Sequence, residues 1–501
     1  MKTTSIAHPF SLSGLFGLVG EATQKDYIKV GVVLMLIKYL IEAVAIYAAT
    51  HRVYTPIDFV NPLLSSREYF ADGSVAWLGM AWILWTLPFL WIAVALSIRR
   101  ASNIGISPWF GLVILIPVVN WLGMFLMSLL PGRIPLKPDV ETKSEAENLH
   151  EAFRALDMEA TSDSMNMSEN DDIQPKSFDG LVATIVGVLG GAVYLIAMVV
   201  LSVYVLGSYG SAMFFGAPIV TGAIAAFEYN RKSTKSIGMT LLHSMLTTTV
   251  ACLAFLCFGI EGILCIAMAI PIMLPFGIFG ALIGRAIAIS AKTQHRDERR
   301  GLVGCMLVLP FLTTFESQWQ SPPTFEVMTY VDIDAPPERV WHHVVDFPEI
   351  TAQEEWFFAL GIASPKRAFI EGSGVGAIRH CEFTTGEFVE PITIWNPPSQ
   401  LAFDVTEQPE PMFELTPYRH LHPPHLDHSF RSTKGEFRLI DLGNQRTRLE
   451  GRTWYKLDIY PISYWSQWTD WIVHRIHLRV LHHIQNLAET SIASSRSMSN
   501  S

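Results

Sequence analysis

The chain has 501 residues, 50% hydrophobic and only 16% charged, with a mean hydropathy of +0.30. Soluble domains carry about 25% charge, so an ordinary all-soluble protein is excluded. The net charge of −10, from 36 Lys+Arg against 46 Asp+Glu, leaves no basic surface for a nucleic acid. The five cysteines are odd in number and four of them lie in apolar runs, which argues against a disulfide framework, and the lack of a CxxC pair argues against a zinc finger or a thioredoxin site.

The N-terminal segment, residues 1–26, has a broken apolar stretch and does not read as a signal peptide. Apolar runs near 20 residues are long enough to cross a bilayer. A first membrane region, residues 27–130, holds three such runs: Tyr27–Ala49, Val75–Ile98 and Ser107–Leu130. Glu42 lies inside the first and is read as paired with Lys38, one helical turn away. Residues 131–178 change character, with eleven Asp/Glu against five Lys/Arg and almost no aromatic residue. They read as an acidic, disordered linker, with a short helix near Ser144–Met158.

A second membrane region, residues 179–316, holds the runs Leu181–Leu206, Ser211–Phe227, Ile237–Phe258 and Gly259–Ala288. The last contains Pro271 and Pro275 and is expected to be kinked or partly re-entrant. Gly301–Phe315 is short for a crossing. The expected total is seven or eight spans. Glu261, as an ionisable residue at depth, is a candidate ion or proton site, weighed against a place near a span end.

Basic residues bear on orientation. Two spans separate Lys25 and Lys29 from Arg99 and Arg100, and two separate Arg231, Lys232 and Lys235 from Arg296, Arg299 and Arg300. Three spans separate the two groups, which breaks the parity. If Gly301–Phe315 crosses and Arg296–Arg300 is cytoplasmic, the C-terminal part of the chain is extracytoplasmic, and that is the expected side.

Residues 322–490 read as a separate α+β domain, with residues 491–501 as a disordered tail. Phe325–Ile333 alternates like a strand. Asp334-Ala-Pro-Pro337 opens a helix over Glu338–Phe347, and a second helix is expected over Gln353–Leu360. Gly372-Ser-Gly-Val-Gly376 precedes an alternating stretch, so it reads as a hairpin turn and not a phosphate loop. Further strands are Glu387–Trp395, Gln400–Thr406, Ser432–Asp441 and Arg446–Asp458, the last two joined at Gly443-Asn444. A long helix over Ser463–Ala488 carries an apolar stripe from Tyr464 and Trp468 to Ile484 and Leu487. The layout is a helix grip, an antiparallel sheet wrapped on a long terminal helix, which leaves room for an apolar cavity.

The segments VDIDAPPERVWHHVVDFPEI, GSGVGAIRHCEF, EPITIWNPPSQLAFDV and GEFRLIDLGNQRTRLEGRTWY, in that order before the terminal helix, resemble the polyketide cyclase/dehydrase and lipid-transport (START-like, SRPBCC) superfamily. The resemblance implies a cavity for a hydrophobic small molecule or lipid, not a particular reaction. In the first membrane region, Arg99-Arg100-Ala-Ser-Asn-Ile-Gly105-Ile-Ser107-Pro-Trp109 followed by Leu130-Pro131-Gly132 is similar to a bacterial membrane domain of unknown function, family 805. That resemblance implies a bacterial inner membrane and no known chemistry.

The candidate ligand-binding residues are Trp341, Arg379, Glu382, Glu390, Trp395, Tyr455, Trp468, Ile472 and Ile476. The aromatic and aliphatic members would wall a cavity, with plain core packing as the alternative. Arg379 with Glu382 or Glu390 would give either a polar anchor or a structural ion pair. His420, His422, His425 and His428 sit in RHLHPPHLDH, where Pro423-Pro424 imposes an extended loop. Their spacing fits no metal signature, so no metal and no cofactor is assigned. His474 and His477 share a helix face, as pocket base or as solvated surface.

No Walker A, GxSxG or HExxH motif occurs, and no catalytic residue is named. The expected function is membrane-tethered binding or transfer of a lipid-like molecule. The alternatives are a cyclase/aromatase-type or hydrolytic enzyme using Glu382, Glu390 or His477, and a ligand-sensing interaction module.

Overall fold

The computed structural model describes residues 9–18, 20–60, 76–116, 119–133, 175–293, 297–318, 321–418 and 421–499. The heart of the acidic linker, residues 134–174, lies outside the described residues, as does His420. The long helices before the C-terminal domain are α1 (Gln24–Thr50), α2 (Ala76–Ile104), α4 (Pro175–Val199), α5 (Ala217–Arg231), α6 (Ile237–Cys257), α7 (Ile263–Thr293) and α8 (Arg299–Ser317), with the shorter α3 (Val119–Leu129) between α2 and α4. A π turn, Val200–Val205, extends α4, and another, Ala212–Gly216, leads into α5.

Among the described residues, six helices are long and apolar enough to cross a membrane: Gln24–Thr50, Leu84–Ile104, Gly180–Val205, Ala212–Arg231, Ile237–Cys257 and Ile263–Lys292. The expected span Ser107–Leu130 is not one helix. It is a 3-10 segment, Pro108–Leu115, followed by the 11-residue α3, with Pro117 between them in sequence. At about 1.5 Å per residue, α3 is too short to span. In contrast, α7 continues as one helix through Pro271 and Pro275, so the re-entrant alternative does not hold there.

The chain forms two compact units. The first comprises residues 1–189, 223–244 and 281–305. Here Tyr27 and Val30 pack on Ile92, Leu96 and Met127. Glu42 is buried and paired with Lys38, as the one-turn spacing required. Arg100 is wholly buried; its Nε donates to Met127 O at 3.0 Å and its guanidinium also reaches Leu130 O. It thereby caps the carbonyls that end α3.

The second unit comprises residues 190–222, 245–280 and 306–501. It contains the C-terminal domain: β1 (Thr324–Ile333), α9 (Pro337–Val345), β2 (Pro365–Glu371), β3 (Ile378–Phe383), β4 (Gly386–Asn396), β5 (Gln400–Asp404), α10 (His425–His428), β6 (Phe430–Gly443), β7 (Arg446–Leu457) and α11 (Ile462–Ser499). The sheet is antiparallel in the order β1-β7-β6-β5-β4-β3-β2. It curls around α11, which packs on β1, β7 and β2. This is the helix grip. Val340, Trp341 and Val344 of α9 share its core with Leu449, Leu481 and Ile484.

The glycine segment joins β2 to β3, with Gly372, Gly374 and Gly376 at φ +92°, +82° and +91°. It is the hairpin turn expected, since no helix comes after it. The β6–β7 turn falls one residue later than expected. Asn444 and Gln445 both have positive φ (51° and 59°), the geometry that matches strand twist.

Three local expectations fail. Gln353–Leu360 forms only a single 3-10 turn, Phe358–Leu360, because Phe357 and Phe358 both turn inward and no helical period holds the rest. Pro423-Pro424 leads into the short α10 instead of an extended loop. The expected tail at 491–501 continues α11 to Ser499, and no Gly or Pro interrupts it there.

The domain is seated on two turns of the membrane helices within the same unit. Tyr460 N donates to Tyr209 O at 2.8 Å, and Ile263 N donates to Leu415 O at 2.9 Å. Phe357, Phe358 and Ile362 pack with Leu264 of α7 and with Ile472 and Ile476 of α11.

Candidate functional site

A cavity of about 540 Å³ opens inside the second unit, within the range of small-molecule sites. Its wall has two sources. The helix grip contributes Phe383, Phe403, Phe437, Ile472 and Ile476, among others. The membrane helices contribute Met245 and Cys252 of α6 and Met268, Ile270 and Leu274 of α7. Met245 and Ile270 are 41% and 42% exposed and both line the cavity.

Strand alternation sets the polar part of the wall. On β3, Arg379 and Cys381 point inward, while Glu382 turns out to a bidentate pair with Arg367. Across the ladder, Glu390 of β4 faces Arg379 and forms a buried ion pair with it. The Arg379 guanidinium also lies 4.8 Å from the Phe403 ring centre and 5.5 Å from that of Phe437. Burial pushes the Glu390 carboxyl above its ordinary pKa, against the pull of Arg379.

His477 faces the cavity from α11. Thr453 Oγ1 lies 2.7 Å from its Nε2 and Thr329 Oγ1 3.1 Å from its Nδ1. Burial, helped by His474, holds its pKa down at about 4. It is therefore a neutral, doubly hydrogen-bonded wall residue, not part of a solvated face.

Of the nine residues expected at the site, Arg379, Glu390, Ile472 and Ile476 line the cavity. Trp341 instead packs in the core, edge-on to Trp395 with ring centres 5.7 Å apart. Tyr455 is wholly buried between Phe325 and Phe430, its hydroxyl donating to Asp470 at 2.5 Å. Trp468 stands half-exposed beside the stripe, while Trp465 takes the inward position. Large aromatics at inward positions went to core packing more than to the cavity.

One part of the wall was foreseen only as separate residues, Glu261 as a candidate ion or proton site and His425 as one of a histidine group. Tyr209, Glu261, Cys265 and His425 meet there, with Glu414 behind them. Tyr209 Oη donates to Glu261 Oε1 at 3.0 Å. His425 Nδ1 is 3.3 Å from Glu261 Oε2, and its Nε2 is 3.0 Å from Cys265 Sγ and 3.3 Å from Glu414 Oε1. Burial alone would lower the His425 pKa, but Cys265 and the two carboxylates raise it well above its ordinary value. His425 was legible as one of a histidine group, but its partner Cys265 is 160 residues away in sequence, and no spacing rule reaches that far.

No curated protein matches the chain. Among solved structures, truncated norcoclaurine synthase from Thalictrum flavum is 13% identical over 34% of this chain and 95% of its own, with a TM-score of 0.23. The Zhui aromatase/cyclase from Streptomyces sp. R1128 is 14% identical over 34% of this chain and 96% of its own, also at 0.23. In the first membrane region, residues 15–134 match the family model described as protein of unknown function (DUF805).

Proposed function

We propose that this is an integral membrane protein whose helix-grip domain takes up a lipid-like molecule directly from the bilayer and holds or passes it on. The observation that carries the reading is the shared wall: one cavity is lined both by the grip and by α6 and α7, two helices long and apolar enough to cross a membrane. An apolar ligand would move from lipid to protein without crossing water, which removes the largest cost of its transfer. Arg379, Glu390 and His477 would orient a polar end. An enzymatic reading has less to stand on. Glu382 is turned outward in an ion pair, and His477 is engaged at both nitrogens.

The test is native mass spectrometry of the full chain in detergent, with lipid extraction. A discrete apolar molecule is expected to co-purify with the wild type and to fall at least about tenfold in Ile476→Trp, which fills the cavity. An identical lipid profile in both proteins would sink the proposal.

We propose a side of the membrane from the order of spans and basic residues along the chain. With Ser107–Leu130 not crossing, two spans separate Arg99 and Arg100 from Arg231, Lys232 and Lys235, and the parity closes. The basic clusters then share the cytoplasmic side. The loops at 206–211 and 258–262 carry no Lys or Arg and fall opposite. The 19-residue α8, whose Leu307, Phe311 and Phe315 are exposed, serves as a seventh crossing. The helix-grip domain is thereby extracytoplasmic. Alkaline phosphatase fused after residue 330 is expected to be active and fused after residue 234 inactive; the reverse pattern would refute this orientation.

A further inference from the structure

The cluster on the cavity wall has the chemistry of a metal centre. Cys265 Sγ, His425 Nε2 and Glu414 Oε1 converge, with pair separations of 2.6 Å (Cys265–Glu414), 3.0 Å (Cys265–His425) and 3.3 Å (His425–Glu414). Around a tetrahedral Zn²⁺, with bonds of about 2.0–2.3 Å, such atoms stand roughly 3.3–3.7 Å apart. A spread of about 1 Å or less would admit the ion. Glu261 approaches the opposite face of the imidazole, at Nδ1, and is itself held by the Tyr209 hydroxyl. That is the relation of a carboxylate that orients a metal-binding histidine.

A second observation points the same way. The Glu414 side chain is completely buried, yet its Oε2 makes no hydrogen bond among the described residues. The space it occupies exists because residue 262 is glycine: a Cβ there would stand 1.7 Å from Glu414 Oε2. Glu261 Oε2 likewise lacks a hydrogen bond of good geometry, although His425 is close. The Cys265 thiol donates to one oxygen of Glu414 and the Tyr209 hydroxyl to one oxygen of Glu261, which leaves the second oxygen of each carboxylate without a hydrogen bond among the described residues. Buried groups of this kind are paired or bind a metal.

We infer that Cys265, Glu414 and His425 bind one divalent ion of the Zn²⁺ class, with Glu261 positioning His425 and the fourth coordination place left on the cavity side. The mixed sulfur, nitrogen and oxygen set suits Zn²⁺ and the spectroscopic substitute Co²⁺, not Mg²⁺ or Ca²⁺. Three protein ligands with one open position is the arrangement of reactive zinc sites. A bound molecule with an oxygen donor at its polar end would complete the shell. The site stands or falls separately from lipid uptake, because metal binding is read without any ligand.

The experiment uses the full chain in detergent, purified through a tag without histidine, stripped with chelator and titrated with Co²⁺ and then Zn²⁺. The wild type is expected to take up one equivalent, with a thiolate-to-cobalt charge-transfer absorption that Zn²⁺ abolishes. Cys265→Ser should lose that absorption. Glu261→Gln should keep it while weakening Zn²⁺ binding about 10- to 100-fold, the usual effect of removing an orienting partner. Should Cys265→Ser fail to fold, His425→Gln and Glu414→Gln provide the same comparison, each with a weakened or altered spectrum. No absorption in the wild type, or an absorption unchanged in Cys265→Ser or His425→Gln, would overturn the site and leave the cluster a hydrogen-bonded clasp.

Discussion

Replacing Arg379 with methionine is expected to destabilise the full-length protein by about 3–5 kcal/mol, the usual consequence of removing one partner from a buried ion pair. Arg379 and Glu390 are both buried and face each other across the β3–β4 ladder. Without the guanidinium, Glu390 must take up a proton or remain as an uncompensated charge, and Phe403 and Phe437 lose the cation above their rings. The double variant Arg379→Met/Glu390→Leu should recover most of the loss, because apolar replacement of a whole buried pair is often neutral or stabilising. Thermal unfolding in detergent, followed by tryptophan fluorescence, measures both. Equal losses in the single and double variants would mean that the pair is not what the region depends on. Recovered stability together with lost ligand retention would instead assign the pair to recognition.

The second large effect belongs to the membrane helices. Gly280→Val should cost about 3 kcal/mol or more and reduce the amount of folded protein recovered. A Cβ at Gly280 would stand 1.9 Å from Ile219 O and 2.8 Å from Ile219 Cα. These are backbone atoms of α5, so no side chain can swing aside to accommodate it. Close approach of backbones through small residues is how helices pack where water supplies no hydrophobic drive. Gly284, one turn on, meets Ala223 in the same manner, with a Cβ 2.2 Å from its carbonyl oxygen. Gly238→Val is the control, since nothing lies within 4 Å of its added carbon. Comparable losses in Gly238→Val and Gly280→Val would show that the cost lies in the substitution and not in the α5–α7 contact.

Alternation made β1, β3 and β4 readable, but it left open which of Arg379, Glu382 and Glu390 faces inward. The stripe on α11 pointed to Ile472 and Ile476. β2 escaped because Pro365–Glu371 shows no clean alternation, its burial being irregular along the strand. Hydropathy made Ser107–Leu130 look like one span, since composition does not distinguish a continuous helix from a 3-10 segment and a short helix. Glu261 and Cys265 could not be joined to His425 and Glu414 from sequence, because the pairing depends on how the domain sits on the α6–α7 turn. Trp341, Trp395 and Tyr455 illustrate a further limit: alternation says that a ring faces inward, not whether it meets a void or another ring.

The shared wall has a practical consequence for anyone who isolates the helix-grip domain by cutting the chain near residue 320. Such a fragment would retain Phe383, Phe403, Phe437, Ile472 and Ile476 but lose Met245, Cys252, Met268, Ile270 and Leu274, which cover them. What is an interior surface in the whole protein would become a greasy crater open to water, of the kind that makes soluble proteins stick to one another. The fragment is half of a vessel, and its affinity for any guest would describe the missing half as much as the part in the tube.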